Sequence, residues 1–381
     1  MAAPYALTHA LARNLSNLPG WRTRRHIVVF LVDDYGSIRM SSRGGYDKLL
    51  RSGVRIEHCR YNRYESIESN DDLEQLFGVL SGHHDTNGKN PVFTPLAIVA
   101  NPDFKKIEEN NYECYYWEPF TDTLKRYPAH DRVYDLWQQG IRQRIFVPEF
   151  HGREHLNVKR WMHDMRRGVP ATRMAFQLGV TGIGADQAEG LSGDYQAAFD
   201  LDEPEDWKMH GTIVEEGLGL FERLFGYRAS FFTPPNGSYS HRLDGILEKA
   251  GIKLINVSRY DKEPMGQGRT RNRFHYIGQR NRMGQRYIIR TAQFEPSEGH
   301  GVDWVDKCLA AMARAFRWGK PAIISSHRVN FCGDLVPENR ANGLRQLDRL
   351  LAAILKSWPN VEFMPMRELG TLLVETAGAQ R

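Results

Sequence analysis

The chain has 381 residues, a length that suits two or three domains or one α/β barrel. Hydrophobic residues make up 41% and charged residues 25%, which excludes a disordered, collagen-like or coiled-coil chain. The net charge of +5 does not by itself point to nucleic acid, and no such partner is expected.

Residues 1–25 lack an early positive region followed by a long apolar run, so a cleaved secretory signal is not expected. They are read as an N-terminal extension to a single domain spanning 26–375. No apolar stretch approaches the roughly 18–20 residues of a transmembrane helix. Cys59, Cys114, Cys308 and Cys332 are scattered, without a CxxC pair. This argues against a cysteine zinc site and for a reduced, cytoplasmic setting.

Short runs rich in Val, Ile and Phe recur along the chain at 26–32, 95–100, 144–147, 173–176, 229–233, 252–257, 287–292, 322–325 and 361–364. Bounded by turn or polar residues, they predict buried strands. Helical patterns lie between them. One spans 242–250 and stops at Gly251, one spans 302–318 and stops at Gly319, and one spans 342–356 and ends near Pro359. Alternating strands and helices predict a parallel α/β architecture, open or closed into a barrel.

Polar residues follow several strand candidates, where parallel α/β folds gather their functional groups. Asp33 and Asp34 follow IVVFLV. Side chains alternate along a strand, so one carboxylate can bind a metal while the other stays free as a base. Their plain alternative is a solvated turn or a helix cap. His151 and His155, in HGREH, sit at the i, i+4 spacing that lets one helical turn chelate an ion. With a carboxylate from another strand they would form a His₂Asp site with open positions. The loop Phe232–Gly237, FTPPNG, predicts a fixed turn whose N–H groups could face an oxyanion, or a loop with a purely structural role. His327 ends the run AIISS and could be a general acid or base, or a satisfied rim histidine.

Weaker candidates complete the survey. His83-His84-Asp85 reads as a loop. Gly182-Ile183-Gly184 lacks the third glycine and the preceding strand of a dinucleotide site. Tyr116 and Trp117, in YECYYW, could stack on sugar rings or pack an insertion. From Pro264 to Phe294 there is no acidic residue, yet Arg269, Arg271, Arg273, Arg280, Arg282, Arg286 and Arg290 occur. This stretch is either a solvated basic loop or an anion-facing surface.

In this order, LVDDYG (31–36), HGREH (151–155), FTPPNG (232–237) and IISSH (323–327) resemble the metal-dependent polysaccharide deacetylases. That group is carbohydrate esterase family four, with motifs TFDDG, HxxxH, RxPYG and LxH. The likeness runs from about residue 26 to 372. It implies a distorted or incomplete (β/α) barrel of about seven strands, with insertions around 37–90 and 101–143. It also implies that Asp34, His151 and His155 hold a divalent metal, Zn²⁺ first, with Ni²⁺, Co²⁺ or Fe²⁺ as alternatives. Asp33 would be the general base and His327 the general acid. Pro235 and Asn236 would lie against the substrate, the backbone at Asn236 helping to hold the oxyanion. The family arginine falls on Thr233 and its tyrosine on Asn236, so this is a divergent pattern. An arginine from 269–290 is the candidate replacement.

The expected function is removal of an N- or O-acetyl group from a carbohydrate, with an anionic glycan or sugar intermediate as the narrower expectation. Two rivals stand beside it. One is a glycoside hydrolase using Glu149 and Glu154 as its carboxylate pair. The other is a catalytically silent glycan-binding protein.

Overall fold

The computed structural model describes residues 17–299 and 301–376. Residues 1–16 of the expected extension lie outside the described residues. Residues 17–25 run against the domain: Lys320 Nζ donates to the carbonyls of Pro19, Gly20 and Trp21, each at 2.8 Å.

Nine strands form one sheet: β1 (His26–Tyr35), β2 (Phe93–Ile98), β3 (Glu149–Gly152), β4 (Phe231–Phe232), β5 (Leu254–Asn256), β6 (Arg286–Ile288), β7 (Ala292–Gln293), β8 (Ala322–His327) and β9 (Val361–Phe363). Eight follow the order β6-β5-β4-β3-β2-β1-β8-β7, and β9 pairs with the start of β1. Every pairing in this sheet is parallel. The sheet curls into an open half-barrel with helices outside it, an incomplete (β/α) barrel. The strands beyond the expected seven are two- and three-residue pieces. The run 287–292 splits into two of them.

Strand β1 is the centre. All but its first residue are buried, as expected for a parallel strand covered on both faces. The helices that cover the sheet include α1 (Asn70–Ser81), α2 (Val133–Gln143), α3 (Pro170–Gln177), α4 (Trp207–Phe225), α5 (Trp304–Arg317), α6 (Pro337–Ser357) and α7 (Met366–Thr376). Helix α1 starts with a reciprocal cap. Ser69 Oγ accepts from Asp72 N at 3.2 Å, and Asp72 Oδ2 accepts from Ser69 N at 2.9 Å.

Two strand expectations fail. Residues 173–176 lie inside α3, not in a strand. Its buried residues are Thr172, Ala175 and Phe176, a helical spacing that a four-residue window cannot reveal. The run 144–147 is a connector, and its strand begins at Glu149.

The segment 37–90 fastens the end of β8. Arg328 is fully buried beyond His327. Its Nε donates to Glu65 at 3.1 Å, and its terminal nitrogens donate to Glu68 and to the Ser37 carbonyl. A buried guanidinium with all three directions satisfied holds its backbone rigidly. It thereby fixes His327 next door.

Candidate active site

The C-terminal edge of the sheet opens into a cleft of about 1060 Å³. Four strand ends feed it: Asp33 and Asp34 from β1, His151 from β3, Thr233 after β4 and His327 from β8.

Adjacent carboxylates on an ideal strand would face opposite sides. Here the β1–β2 register shifts between Val32 and Tyr35, and Asp34 has φ +78°. Such an irregularity re-aims a side chain, so Asp33 and Asp34 both line the cleft. Gly36 completes the turn. It has φ +85°, and a Cβ there would meet the Ile98 carbonyl oxygen at 2.3 Å.

Asp34, His151 and His155 converge: one ligand atom from each lies within 4.8 Å of the other two. Asp34 Oδ1 is 3.4 Å from His151 Nε2 and 3.3 Å from His155 Nε2. The HGREH segment is not a helical turn. His151 is the penultimate residue of β3 and His155 follows in a bend, so the pair meets across a strand end. His151 Nδ1 lies 2.7 Å from the Thr233 carbonyl. A carbonyl only accepts, so Nδ1 carries the proton and His151 Nε2 is left buried with no hydrogen-bond partner. This nitrogen faces the Asp34 carboxylate, and a proton or a metal cation has to sit between the two. Two imidazoles and one carboxylate suit zinc-class ions. Burial raises the pKa of Asp34, but His155 and His151 outweigh it and hold the carboxyl well below its usual range.

Beside this cluster stand two charge pairs. Arg290 clamps Asp33 with two hydrogen bonds of 2.7 and 2.6 Å and also donates to Ser325 Oγ at 2.7 Å. Burial pushes Asp33 up, but Arg290 and then His327 bring its pKa below the ordinary value. Glu295 lies 2.6 Å from His327 Nδ1 and is itself held by Arg60 and Asn330. Burial lowers the pKa of His327, yet Glu295, Asp33 and Asp34 raise it to about 9. His327 Nε2 faces Asp33 at 3.4 Å.

Thr233 does not carry a guanidinium to the cleft; Arg290 reaches the same carboxylate from after β6. Of the seven arginines between 264 and 294, only Arg290 lines the cleft, and Arg269, Arg271, Arg280 and Arg282 are solvent-exposed. Of the two readings of this stretch, the solvated basic loop fits these four arginines, and Arg290 alone turns to the site. Arg259, Lys307 and Arg314 line the outer cleft instead.

Other expectations change too. Asn236 lines the cleft at φ +55°, and its Nδ2 donates to Asp194 at 2.9 Å. Pro235 is buried, does not line the cleft and has no N–H to offer an oxyanion. Tyr116 and Trp117 also lie outside the cleft lining. Trp117 opens the second strand of a small antiparallel pair, 100–102 with 117–119, and packs under the Arg153 guanidinium. Glu149 is fully buried and occupied by Ser230 and the Phe231 amide, while Glu154 pairs with Arg153. Neither carboxylate faces the cleft, so the glycoside hydrolase rival loses its two residues. His83-His84-Asp85 is a turn, with Asp85 accepting from the Asn87 and Lys89 amides.

Arg290 and Glu295 were not singled out as site residues. Both follow apolar runs, YII and AQF, and the strand-end criterion applied to Asp33 and His327 would have found them.

The fold is thus an open parallel half-barrel with a His₂Asp cluster, a clamped aspartate and a paired histidine at its C-terminal edge. No model of a known protein family matches the chain, nor does any curated protein sequence. Solved structures do resemble it. An assigned polysaccharide deacetylase from Mycobacterium smegmatis is 10% identical over 94% of both chains, with a TM-score of 0.49. The Puue allantoinase is 13% identical over 93% of both chains, with a TM-score of 0.47. A CE4 family pseudoenzyme from Bacillus anthracis is 10% identical over 91% of this chain and 66% of its own, with a TM-score of 0.35.

Proposed function

We propose that the protein is a metal-dependent carbohydrate deacetylase. The observation that carries this reading is the buried Asp34–His151–His155 cluster with its unpartnered His151 Nε2, flanked by Asp33 on one side and His327 close by. Asp34, His151 and His155 would hold one divalent ion, Zn²⁺ first. When bound, such an ion acidifies water and polarises an acyl carbonyl.

The chain's own residues do the rest. Asp33 is kept ionised and oriented by Arg290, and it takes the proton from the attacking water. His327 is kept protonated by Glu295, and it gives a proton to the leaving amine or alcohol. The backbone around Asn236 lies where it can help to orient the acyl oxygen. Lys307, Arg314 and Arg259 on the outer cleft favour a substrate carrying negative charge, such as an acidic glycan or a phosphorylated sugar intermediate. We assign residues 26–375 to one catalytic domain. The four cysteines are unpaired, and no described helix is long and apolar enough to cross a membrane; we place the enzyme in the cytoplasm.

The test is acetate release from a panel of N- and O-acetylated oligosaccharides, using chelator-stripped protein before and after Zn²⁺ is restored. Acetate without new reducing ends, dependent on Zn²⁺, is expected. Undiminished release by stripped protein, or new reducing ends without acetate, would overturn the reading.

A further inference from the structure

Away from the cleft lies a second set of three chemistry-bearing side chains. His241 sits on the short turn His241–Leu243. Asp261 lies in the first strand of an antiparallel hairpin, Tyr260–Gly266 paired with Arg269–Phe274, and His275 directly follows the second. One ligand atom from each lies within 4.8 Å of the other two. His241 Nε2 is 3.5 Å from Asp261 Oδ2. None of the three lines the catalytic cleft.

Their outer hydrogen bonds fix how the two imidazole rings are turned. Gln279 Oε1 accepts from the Tyr276 amide at 3.2 Å, so this atom is the amide oxygen. It lies 3.1 Å from His275 Nδ1, which must therefore carry the proton and leave Nε2 as an acceptor. His241 Nδ1 faces the Tyr287 hydroxyl at 2.9 Å and the Asp244 carboxylate at 3.5 Å. Both of these partners lie outside the trio, so the ring is held with Nε2 turned inward, 3.5 Å from Asp261 Oδ2. Three buried atoms have no hydrogen-bond partner here: His241 Nε2, Asp261 Oδ2 and His275 Nε2. An unsatisfied buried polar group is destabilising, and these three point at one another. Histidines anchored through the far nitrogen, with the near nitrogen free, are the usual arrangement of metal ligands and their supporting shell.

We propose that His241, Asp261 and His275 form a second, structural metal site that takes a zinc-class divalent ion. Two imidazoles and a carboxylate suit Zn²⁺, with Co²⁺ as its spectroscopic substitute. The site staples the hairpin to the body of the domain. The hairpin needs such support: Tyr260 is 73% exposed and most of Arg269–Phe274 is solvated. An isolated two-stranded hairpin is marginal in water. The strand starts directly after Ser258 and Arg259, which line the cleft, so the staple also steadies that wall. This inference is independent of the proposed chemistry.

The rival arrangement is metal-free, with His241 doubly protonated between Asp244 and Asp261. It leaves His275 Nε2 unpaired.

The test uses the full chain carrying Asp34→Asn, His151→Ala and His155→Ala, which removes the cleft ligands and leaves the hairpin untouched. After Zn²⁺ loading and gel filtration, elemental mass spectrometry should find about one zinc per chain. Adding His275→Gln should bring this to background, and cobalt loading should give visible d–d bands only while His275 is present. Faster hydrogen exchange confined to 260–275 in the His275→Gln protein would confirm the staple. Background zinc in the triple variant, with circular dichroism showing it folded, would overturn the proposal. So would zinc and cobalt signals unchanged by His275→Gln. If the triple variant does not fold, wild type carries the test: two zinc per chain falling to one with His275→Gln supports the site, and an unchanged count overturns it.

Discussion

Among the described residues, two clusters are built from the same parts, two histidines and one aspartate. The cleft cluster joins strand ends of the central sheet and opens onto about 1060 Å³ of space. The hairpin cluster joins a turn to an edge ribbon and does not touch the cleft. Their surroundings differ more than their ligands. Asp33 with Arg290 and His327 with Glu295 crowd the first; Tyr287, Asp244 and Gln279 surround the second. The difference teaches that a ligand set does not define catalysis. A positioned base, a positioned acid and room for substrate do.

Breaking the first cluster's chemistry should have the largest effect. Asp33→Asn removes the base but no metal ligand, so kcat for acetate release should fall by about 10²–10⁴-fold. Zinc content, measured alongside, should stay the same. A matching loss of zinc would mean that Asp33 belongs to the ligand set.

Arg290→Met should cost less, about tenfold, because Asp33 survives without its clamp. Losing the guanidinium lets Asp33 drift up in pKa. Since the base works ionised, the acidic limb of the kcat/KM profile should move to higher pH. Glu295→Gln acts on the opposite limb. His327, raised to about 9 chiefly by Glu295 against the lowering effect of burial, should fall toward its ordinary value. The acid works protonated, so the alkaline limb should move to lower pH. A profile unmoved by either change would separate these residues from the proton transfers.

Breaking the second cluster should leave chemistry nearly intact. His275→Gln should change kcat by less than about threefold. A lost structural ion at a hundredfold its dissociation constant removes about 2.7 kcal/mol, and for a chain this size the zinc-loaded melting temperature should drop by about 3 °C. A drop of the same size in chelator-treated protein would point to packing rather than metal.

His210 is the control, a buried histidine with an unpartnered Nδ1 and no ligand cluster. Burial, opposed by Asp206, depresses its pKa to about 4. The unfolded chain binds a proton first as pH falls below about 6.5, so stability declines through that window and levels off below about 4. The loss should reach about 2 kcal/mol by pH 5. His210→Phe should flatten this part of the denaturation profile.

Much of the catalytic cluster was legible because strand-end residues inherit their position from the run before them. Asp33 and Asp34 follow an apolar run directly, His151 and His327 come within four residues of theirs, and parallel strands carry all four to one edge. His155 was legible by its spacing to His151, although a strand end and bend, not a helical turn, bring the pair together. The partners were harder to read. Arg290 stands among seven arginines, and only the curl of the sheet aims it at Asp33. The hairpin cluster was invisible, because His241, Asp261 and His275 lie on a turn and an exposed ribbon where no periodicity operates. The run 173–176 misled because four apolar-rich residues fit a strand or a helix equally well. Tyr116 and Trp117 misled because an aromatic run says nothing about which face it packs on.

The most direct test is anomalous diffraction at the zinc edge from crystals of the zinc-loaded protein. The account predicts a peak about 2.0–2.2 Å from Asp34 Oδ1, His151 Nε2 and His155 Nε2, in the cleft beside Asp33. A zinc-soaked crystal with these side chains ordered and no peak between them would contradict it.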